Sequence, residues 1–249
     1  MILEEFRING NVVIIFGCDP SWLKALSIAL AQAGANVVIA GPDKEEIEST
    51  AEEVRYLGNK ALSIPLDFTS SQELEAMTEQ VITQFGRIDI LVNSQNLQFG
   101  KPFLEMTEEE WKRVLEGNLT SVFRCSKAVG QHMVKQKAGR IINIVSGAGE
   151  RGLPNGAAYC ASMGGVIQLT RALALEWARE NVRVNAVGMG WMENGIEVGQ
   201  KDPLLNFIPM RRRGRPEDIA SLVLFLASEA SSYLTGHVYF VDGGMMARG

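Results

Sequence analysis

The chain has 249 residues and a net charge of −5, from 24 Lys and Arg against 29 Asp and Glu. An apolar fraction of 46% and a charged fraction of 21% are ordinary for a folded water-soluble domain and exclude an intrinsically disordered chain. The modest acidity argues against nucleic acid as a partner, because a basic face is the usual footprint there. No apolar run reaches the ~18 residues of a membrane span, so no membrane partner is expected either.

The cysteines and histidines bear on compartment and metal binding. Cys18, Cys125 and Cys160 are far apart and have neither a CxxC pair nor zinc-ligand spacing. We expect free thiols, which favours a reducing, cytoplasmic location. With only His132 and His237 in the chain, no metal site is predicted.

Short β-branched runs alternate with longer stretches of helical period. In chain order the predicted elements are strand Val12–Phe16, helix Ser21–Ala33, strand Asn36–Ala40, helix Lys44–Leu57, strand Ala61–Pro65, helix Gln72–Phe85, strand Ile88–Val92, helix Glu108–Lys137, strand Arg140–Val145, helix Ala158–Glu180, strand Val182–Val187, helix Glu217–Ala227 and strand His237–Val241. The strands are apolar on both faces, as a parallel sheet covered on both sides requires. The pattern predicts an α/β fold with one domain, a doubly wound Rossmann-like sheet and helices on both faces.

Four segments carry a resemblance to a known family. Ile88–Asn93, Gly139–Ile144, Arg183–Val187 and Asp242–Gly244 resemble the short-chain dehydrogenase/reductase family in order and spacing, within a match from about residue 8 to residue 244. The resemblance implies a seven-stranded parallel sheet, a nicotinamide cofactor and frequent dimers or tetramers. It also implies an active site of Asn, Ser, Tyr and Lys, with Tyr and Lys four residues apart on one helix.

The first turn departs from the family pattern Thr-Gly-x-x-x-Gly-x-Gly, whose glycines let the backbone approach a pyrophosphate. Here Gly17 is kept, but Ser21 and Leu23 stand at the other two glycine positions. Asp19 before Pro20 predicts a capped helix start. A carboxylate at this point competes for the same amide groups and repels a phosphate.

The other cofactor-facing turns have changed as well. Gly41 stands where an acid for the ribose is expected, and Asp43 is predicted to cap the next helix. Asp67 matches the family residue beside the adenine, although an Asp before a helix is also a common cap. Asn93–Asn96 replaces the family's Asn-Asn-Ala-Gly and puts bulk where Ala and Gly belong.

These losses concentrate in the cofactor-facing turns, whereas the strand cores and the terminal Asp-Gly-Gly remain. This pattern indicates that folding is still required and dinucleotide binding is not. We therefore expect no cofactor on this chain, with Gly17, Asp67 and Asn93 as vestigial members of the family site.

The catalytic positions are partly kept. Asn118, Ser146 and Tyr159 match the family's catalytic residues, but Met163 stands where the Lys should follow. A thioether cannot favour the tyrosinate, and a Tyr with a pKa near 10 is only about 0.1% ionised at pH 7. The remaining hydroxyl groups could still bond a carbonyl, so a small-molecule substrate stays an expected ligand. The alternative for Tyr159 is a buried tyrosine retained for packing.

Two loop features have their own alternatives. The segment Arg211–Arg215 holds four arginines and is either an anion clamp, for example for the phosphates of a coenzyme A thioester, or a solvated, salt-bridged loop. Trp191 is a candidate contact residue beside the expected substrate cleft.

The sequence leaves three functions open. The first is a catalytically degenerate subunit in a heterotetramer with an active, NAD-dependent paralogue. Heteromeric family members of this kind are known, and one of them is a dehydrogenase of a coenzyme A thioester in anaerobic toluene breakdown. The second is an active oxidoreductase with atypical cofactor and catalytic contacts, and the third a ligand-binding regulatory module. For the first, the two long helices are expected to expose apolar residues to a neighbour, namely Val122, Phe123, Val166, Leu169 and Leu173.

Overall fold

The computed structural model describes residues 2–193 and 202–247. Within these ranges the strands are β1 (Val12–Gly17), β2 (Asn36–Gly41), β3 (Ala61–Pro65), β4 (Ile90–Ser94), β5 (Gly139–Ser146), β6 (Val182–Met189) and β7 (Val238–Val241). They form one parallel sheet in the order β3-β2-β1-β4-β5-β6-β7. The predicted seven-stranded, doubly wound sheet is confirmed.

Helices cover both faces of this sheet. They are α1 (Pro20–Gln32), α2 (Lys44–Tyr56), α3 (Ser71–Phe85), α4 (Glu108–Leu115), α5 (Ser121–Gln136), α6 (Ala157–Trp177) and α7 (Pro216–Ala227). In β1, Val13 and Ile15 join the core under α1, α2 and α7, whereas Ile14 and Phe16 join the core under α3 and α5. Because successive strand residues point to opposite faces, a continuous apolar run is what a sheet covered on both sides needs.

The start of β4 differs from the prediction by two residues. The carboxylate of Asp89 accepts a hydrogen bond from the Val12 amide at 2.8 Å and one from Arg87 Nε at 2.8 Å. This ion pair lies at the amino edge of the sheet, where the Asp89 amide donates to the Val12 carbonyl and the Asp89 carbonyl accepts from the Arg140 amide, both at 2.9 Å. The assigned strand begins at the next residue.

The single helix predicted over Glu108–Lys137 is wrong in its middle. A π-helical turn over Glu116–Thr120 separates α4 from α5, although the predicted capping box between Thr107 and Glu110 is confirmed. The turn bears Gly117, and a Cβ atom built on it would lie 3.0 Å from a methyl carbon of Leu97. The loop after β4 therefore lies close to this turn, and a side chain at position 117 would require Leu97 to shift. Turns of the π type occur often at functional sites.

The apolar residues expected on the outer face of the long helices are only partly exposed. Val122 and Val166 are 2% and 1% exposed, because α5 and α6 pack against the sheet within the same chain. The expectation is wrong for these two residues. Phe123 is 48% exposed, as expected, and Leu175 on α6 is 83% exposed.

In the described part of the chain, no helix is long and apolar enough to cross a membrane. Cys18, Cys125 and Cys160 are free thiols.

An ion pair fixes the amino end of α7. The Asp218 carboxylate accepts hydrogen bonds from Arg212 Nη1 at 2.6 Å and from the Arg215 amide at 2.8 Å. The Arg212 guanidinium is the main cause that lowers the pKa of Asp218 to about 2, and the amide of Arg215 adds to it. A carboxylate with a lowered pKa stabilises the fold above its unfolded pKa and loses this contribution as the pH falls through the folded value.

We expect Asp218→Asn to lower the free energy of unfolding by about 1 kcal/mol at pH 7, since the pair is partly exposed. The difference from the wild type should shrink as the pH falls from about 4 towards 2, where the wild-type carboxylate becomes protonated. Urea unfolding at several pH values measures both effects. A difference that is constant with pH would contradict the assignment of the stabilisation to the charge.

Candidate functional site

The predicted site residues come together where the direction of strand order reverses, between β1 and β4. In open parallel sheets, ligands bind outside the carboxyl ends of the strands at such a point. Gly17 is the last residue of β1, Asn93 is the second-last residue of β4, and Ser146 is the last residue of β5. The sheet therefore brings the family positions to one edge, as the resemblance implies.

At the first turn, Asp19 caps α1 as predicted. Its Oδ1 accepts hydrogen bonds from the Ser21 amide at 2.9 Å, the Ser21 hydroxyl at 2.6 Å and the Trp22 amide at 3.4 Å. Amides at a helix start are the groups that bind a phosphate. Here a side chain of the protein already takes them and adds a negative charge.

Leu23 fills the corner between β1 and β2. Its side chain is 3% exposed, and a Cβ atom built on Gly17 would lie 2.9 Å from Leu23 Cδ2. A Cβ atom built on Gly41 would lie 3.6 Å from Leu23 Cδ1. A leucine side chain thus occupies the space that a glycine at position 23 would leave open.

The two acids near the ribose and adenine positions bond to their own turns. Asp43 caps α2 as predicted, accepting from the amides of Glu45 and Glu46 at 3.0 and 3.2 Å. Asp67 is exposed and accepts from the amide and the hydroxyl of Thr69, both at 2.8 Å. The bonds from Thr69 lower the pKa of Asp67. Asp67 is not a helix cap, because Ser70 caps α3.

The end of β4 turns its polar side chains inward. Asn93 Nδ2 donates to Asn143 Oδ1 at 2.8 Å and to Ser126 Oγ at 3.2 Å, which ties β4 to β5. The Ser94 hydroxyl donates to the Phe16 carbonyl at 2.8 Å, and Ser94 is buried. The Asn93 side chain therefore links β4 to β5 and to α5.

A dinucleotide, which the fold implies, does not fit this turn in the family's pose. Asp19 occupies the helix amides, Leu23 occupies the corner above Gly17, and no acid stands at Gly41. Among residues 2–193 and 202–247, no cluster of three His, Cys, Asp or Glu side chains could hold a metal ion.

The catalytic positions are brought together only in part. The Tyr159 hydroxyl donates to Asn96 Oδ1 at 2.8 Å, and Ser146 Oγ accepts the Ala148 amide at 3.2 Å. Asn118 is completely buried and bonds to the backbone amide and carbonyl of Leu97 at 2.7 and 3.0 Å. The Asn118 side chain therefore anchors the loop after β4.

Burial raises the pKa of Tyr159 above its ordinary value, although hydrogen bonds with Ser146 and Asn96 work against the shift. Met163 is 1% exposed and packs in an apolar cluster with Val145 and Ile167. The position of the family's Lys thus supplies no charge to Tyr159. With a pKa above its ordinary value, the Tyr159 phenol is a weak acid and is not ionised to act as a general base at neutral pH.

Asn96 is the site residue whose role the sequence did not reveal. It stands at the Gly position of the family's Asn-Asn-Ala-Gly segment, and its departure was visible as added bulk. That this bulk reaches Tyr159 depends on the path of the loop after β4, which the sequence alone does not specify.

The arginine segment forms the salt-bridged loop that the sequence offers as one alternative. Its ion pairs and hydrogen bonds join Arg212 to Asp218 at 2.6 Å, Arg213 to Asp202 at 2.7 Å, Arg215 to Glu193 at 3.8 Å and Arg211 to Asn206 Oδ1 at 3.1 Å. Each of the four guanidinium groups is therefore engaged within the chain.

The loops after β6 and β7 meet beside this segment. Trp191 packs edge-to-face on Phe207 with ring centroids 6.2 Å apart, and it lines a cavity of about 150 Å³ with Met192 and Met210.

The last described turn of the chain is fixed near Ser146. Arg151 donates to the carbonyls of Met245 and Met246, both at 2.9 Å, and the Asp242 carboxylate accepts from the Met246 amide at 2.6 Å. A Cβ atom built on Gly147 would lie 3.2 Å from Met246 Sδ. The C-terminal turn therefore packs against the residue that follows Ser146.

Comparisons with known proteins agree with this fold. Residues 24–246 match the family model described as enoyl-(acyl carrier protein) reductase, so the match begins directly after Leu23. The 3-oxoacyl-[acyl-carrier-protein] reductase FabG of Thermotoga maritima is 36% identical over 244 residues, covering 96% of this chain and 99% of the relative. The 2-dehydro-3-deoxy-D-gluconate 5-dehydrogenase of Escherichia coli is 37% identical over 255 residues, covering 100% of both chains.

Solved structures give the same result. A short-chain type dehydrogenase/reductase from Mycobacterium marinum superposes with a TM-score of 0.92 at 33% identity, covering 98% of both chains. A gluconate 5-dehydrogenase from Burkholderia cenocepacia, in complex with NADP and tartrate, has a TM-score of 0.92 at 30% identity and covers 100% of both chains. By its sheet order, its motifs and these full-length matches, the chain belongs to the short-chain dehydrogenase/reductase family of oxidoreductases.

Proposed function

We propose that this chain is a catalytically degenerate subunit that assembles, as a heterotetramer, with an active NAD-dependent paralogue. The partner binds the cofactor and carries out the reaction, and this chain contributes structure and surface. One observation carries the proposal: Leu23 and Asp19 occupy the space and the amides of the dinucleotide turn.

The state of the catalytic positions supports the same assignment. Tyr159 has a raised pKa, and the neighbour four residues on is the buried thioether of Met163. A hydride transfer needs both a held nicotinamide and a proton donor of suitable pKa. Two independent parts of the reaction are thus missing from one chain, which argues against an active oxidoreductase with altered contacts.

The relatives suggest the partner's chemistry. Their names describe reductases and dehydrogenases of keto and hydroxy compounds, one of them a 3-oxoacyl thioester. We propose a hydroxy or keto substrate of the coenzyme A thioester class for the assembly. The 2-(hydroxybenzyl)succinyl-CoA dehydrogenase of anaerobic toluene degradation is a heteromeric enzyme of this organisation. We propose that this chain is a subunit of an enzyme of that kind.

We expect the isolated chain to bind NAD(H) and NADP(H) with a Kd above about 1 mM, weaker than about −4 kcal/mol. The reason is that Asp19 and Leu23 must both move before a pyrophosphate can reach the backbone. Calorimetric titration measures this, with the Burkholderia gluconate 5-dehydrogenase as a positive control for NADP. Micromolar binding of either dinucleotide to this chain would refute the proposed function.

We expect the chain to form dimers or to aggregate when it is expressed alone, and to form a soluble heterotetramer with a paralogue that keeps the Gly-rich turn and Tyr-x-x-x-Lys. Phe123 on α5 is 48% exposed and lies on a helix that the family uses for assembly. Phe123→Asp should therefore weaken the assembly in light scattering. Tyr56→Asp, at an aromatic residue 93% exposed on α2, is the matched control and should leave it intact. A stable wild-type monomer at micromolar concentration would count against the proposal.

We expect Met163→Lys to give no measurable hydride transfer with NAD(P)H and activated ketones. The change places an ammonium beside Tyr159 but no nicotinamide within reach. Because position 163 is buried among apolar groups, the unpaired charge should lower the Tm by roughly 5 °C. Met163→Leu is the control and should change the Tm little.

Activity should instead require rebuilding the first turn with small residues at positions 19, 21 and 23 and glycine at position 96. Clear turnover by Met163→Lys alone would show that the dinucleotide turn works as it stands, and would favour the active-oxidoreductase alternative.

A further inference from the structure

We propose that Asn96 is an internal hydrogen-bond acceptor that withholds the Tyr159 proton from carbonyl ligands and so weakens the binding of ketones at this site. The proposal deepens the proposed function, on which it rests for the site's lack of a cofactor. Asn96 is thereby a specificity-determining residue.

The number of hydroxyl protons at the site is the first argument. A tyrosine or serine hydroxyl has one proton to donate. The Tyr159 proton goes to Asn96 Oδ1 at 2.8 Å. The Tyr159 phenol therefore has no second proton to offer a carbonyl ligand.

Ser146 Oγ accepts the Ala148 amide at 3.2 Å, so one lone pair of this hydroxyl is already bound within the chain. A carbonyl oxygen arriving beside Tyr159 meets the lone pairs of the phenol and no free phenol proton.

The position of Asn96 is the second argument. It lies two residues after the end of β4, where the family has a glycine that presents no side chain to the site. Asn96 is half-buried, and Tyr159 is 7% exposed, so water competes weakly for this hydrogen bond. A side-chain carboxamide thus stands where a family member offers open space to its ligands.

The direct test is nuclear magnetic resonance of the Tyr159 hydroxyl in protein with ¹³C at tyrosine Cζ. The chain has four tyrosines, and Tyr159→Phe assigns the signal. We expect a slowly exchanging Tyr159 hydroxyl proton in the wild type. Its exchange should be about tenfold faster in Asn96→Ala, since one hydrogen bond of this kind is lost. Asn96→Asp keeps the acceptor oxygen and should keep the slow exchange.

The second readout uses acetone as the carbonyl probe. Acetone should shift the Tyr159 Cζ resonance saturably in Asn96→Gly, with an affinity several-fold higher than for the wild type. Combining Asn96→Gly with Ser146→Ala should retain the effect, because Tyr159 then still has its proton free.

Unchanged hydroxyl exchange in Asn96→Ala, loss of slow exchange in Asn96→Asp, or equal acetone effects in the wild type and Asn96→Gly would each overturn the proposal. Circular dichroism checks that every variant is folded. The outcome is separable from the proposed function: micromolar NAD binding by the wild type would refute the degenerate subunit and leave the hydroxyl measurement unaffected.

Discussion

The competition for the amino end of α1 governs what this site can do. A parallel sheet brings all its carboxyl ends to one edge, and the first helix that leaves the edge offers unpaired amides to whichever negative group is nearest. In this chain the nearest negative group is the Asp19 carboxylate, which accepts from the amide of Ser21 two residues later. Pro20 lies between them and restricts the backbone. A covalently tethered acid has a large advantage over a free phosphate, and Leu23 then seals the corner that the phosphate would have crossed.

The scaffold itself is independent of that competition. Asn93 and Asn143 are buried and hydrogen-bonded to each other, and Asn143 donates on to Thr170 of α6 at 2.8 Å. This chain of polar groups ties β4, β5 and α6 together below the site. These two links and the one from Asn93 to Ser126 are made inside the protein and do not depend on a ligand, whereas the buried Asn93 Oδ1 has no hydrogen-bond partner among the described residues. Family-like strands can therefore persist after the ligand-facing turns have changed.

The strands and the cap of the first helix could be predicted from the sequence because they depend on residues that are close together in the chain. A strand buried on both faces must be continuously apolar. An Asp before Pro at a helix start makes its capping hydrogen bonds within the next three residues, so the cap can be recognised from the local sequence. The contact of Asn96 with Tyr159 and the π turn that carries Asn118 depend instead on how the loop after β4 returns across the sheet. Val122 and Val166 show the same limit, since helical period identifies an apolar face but not whether the sheet or another subunit covers it.

The clamp on the C-terminal turn has a consequence for the dynamics of the chain. Arg151 and Asp242 hold Met245 and Met246 against the segment that follows Ser146, although the two lie about a hundred positions apart in sequence. Local opening of native proteins occurs in contiguous cooperative units. We therefore expect residues 242–246 and the segment that follows Ser146 to share one local stability.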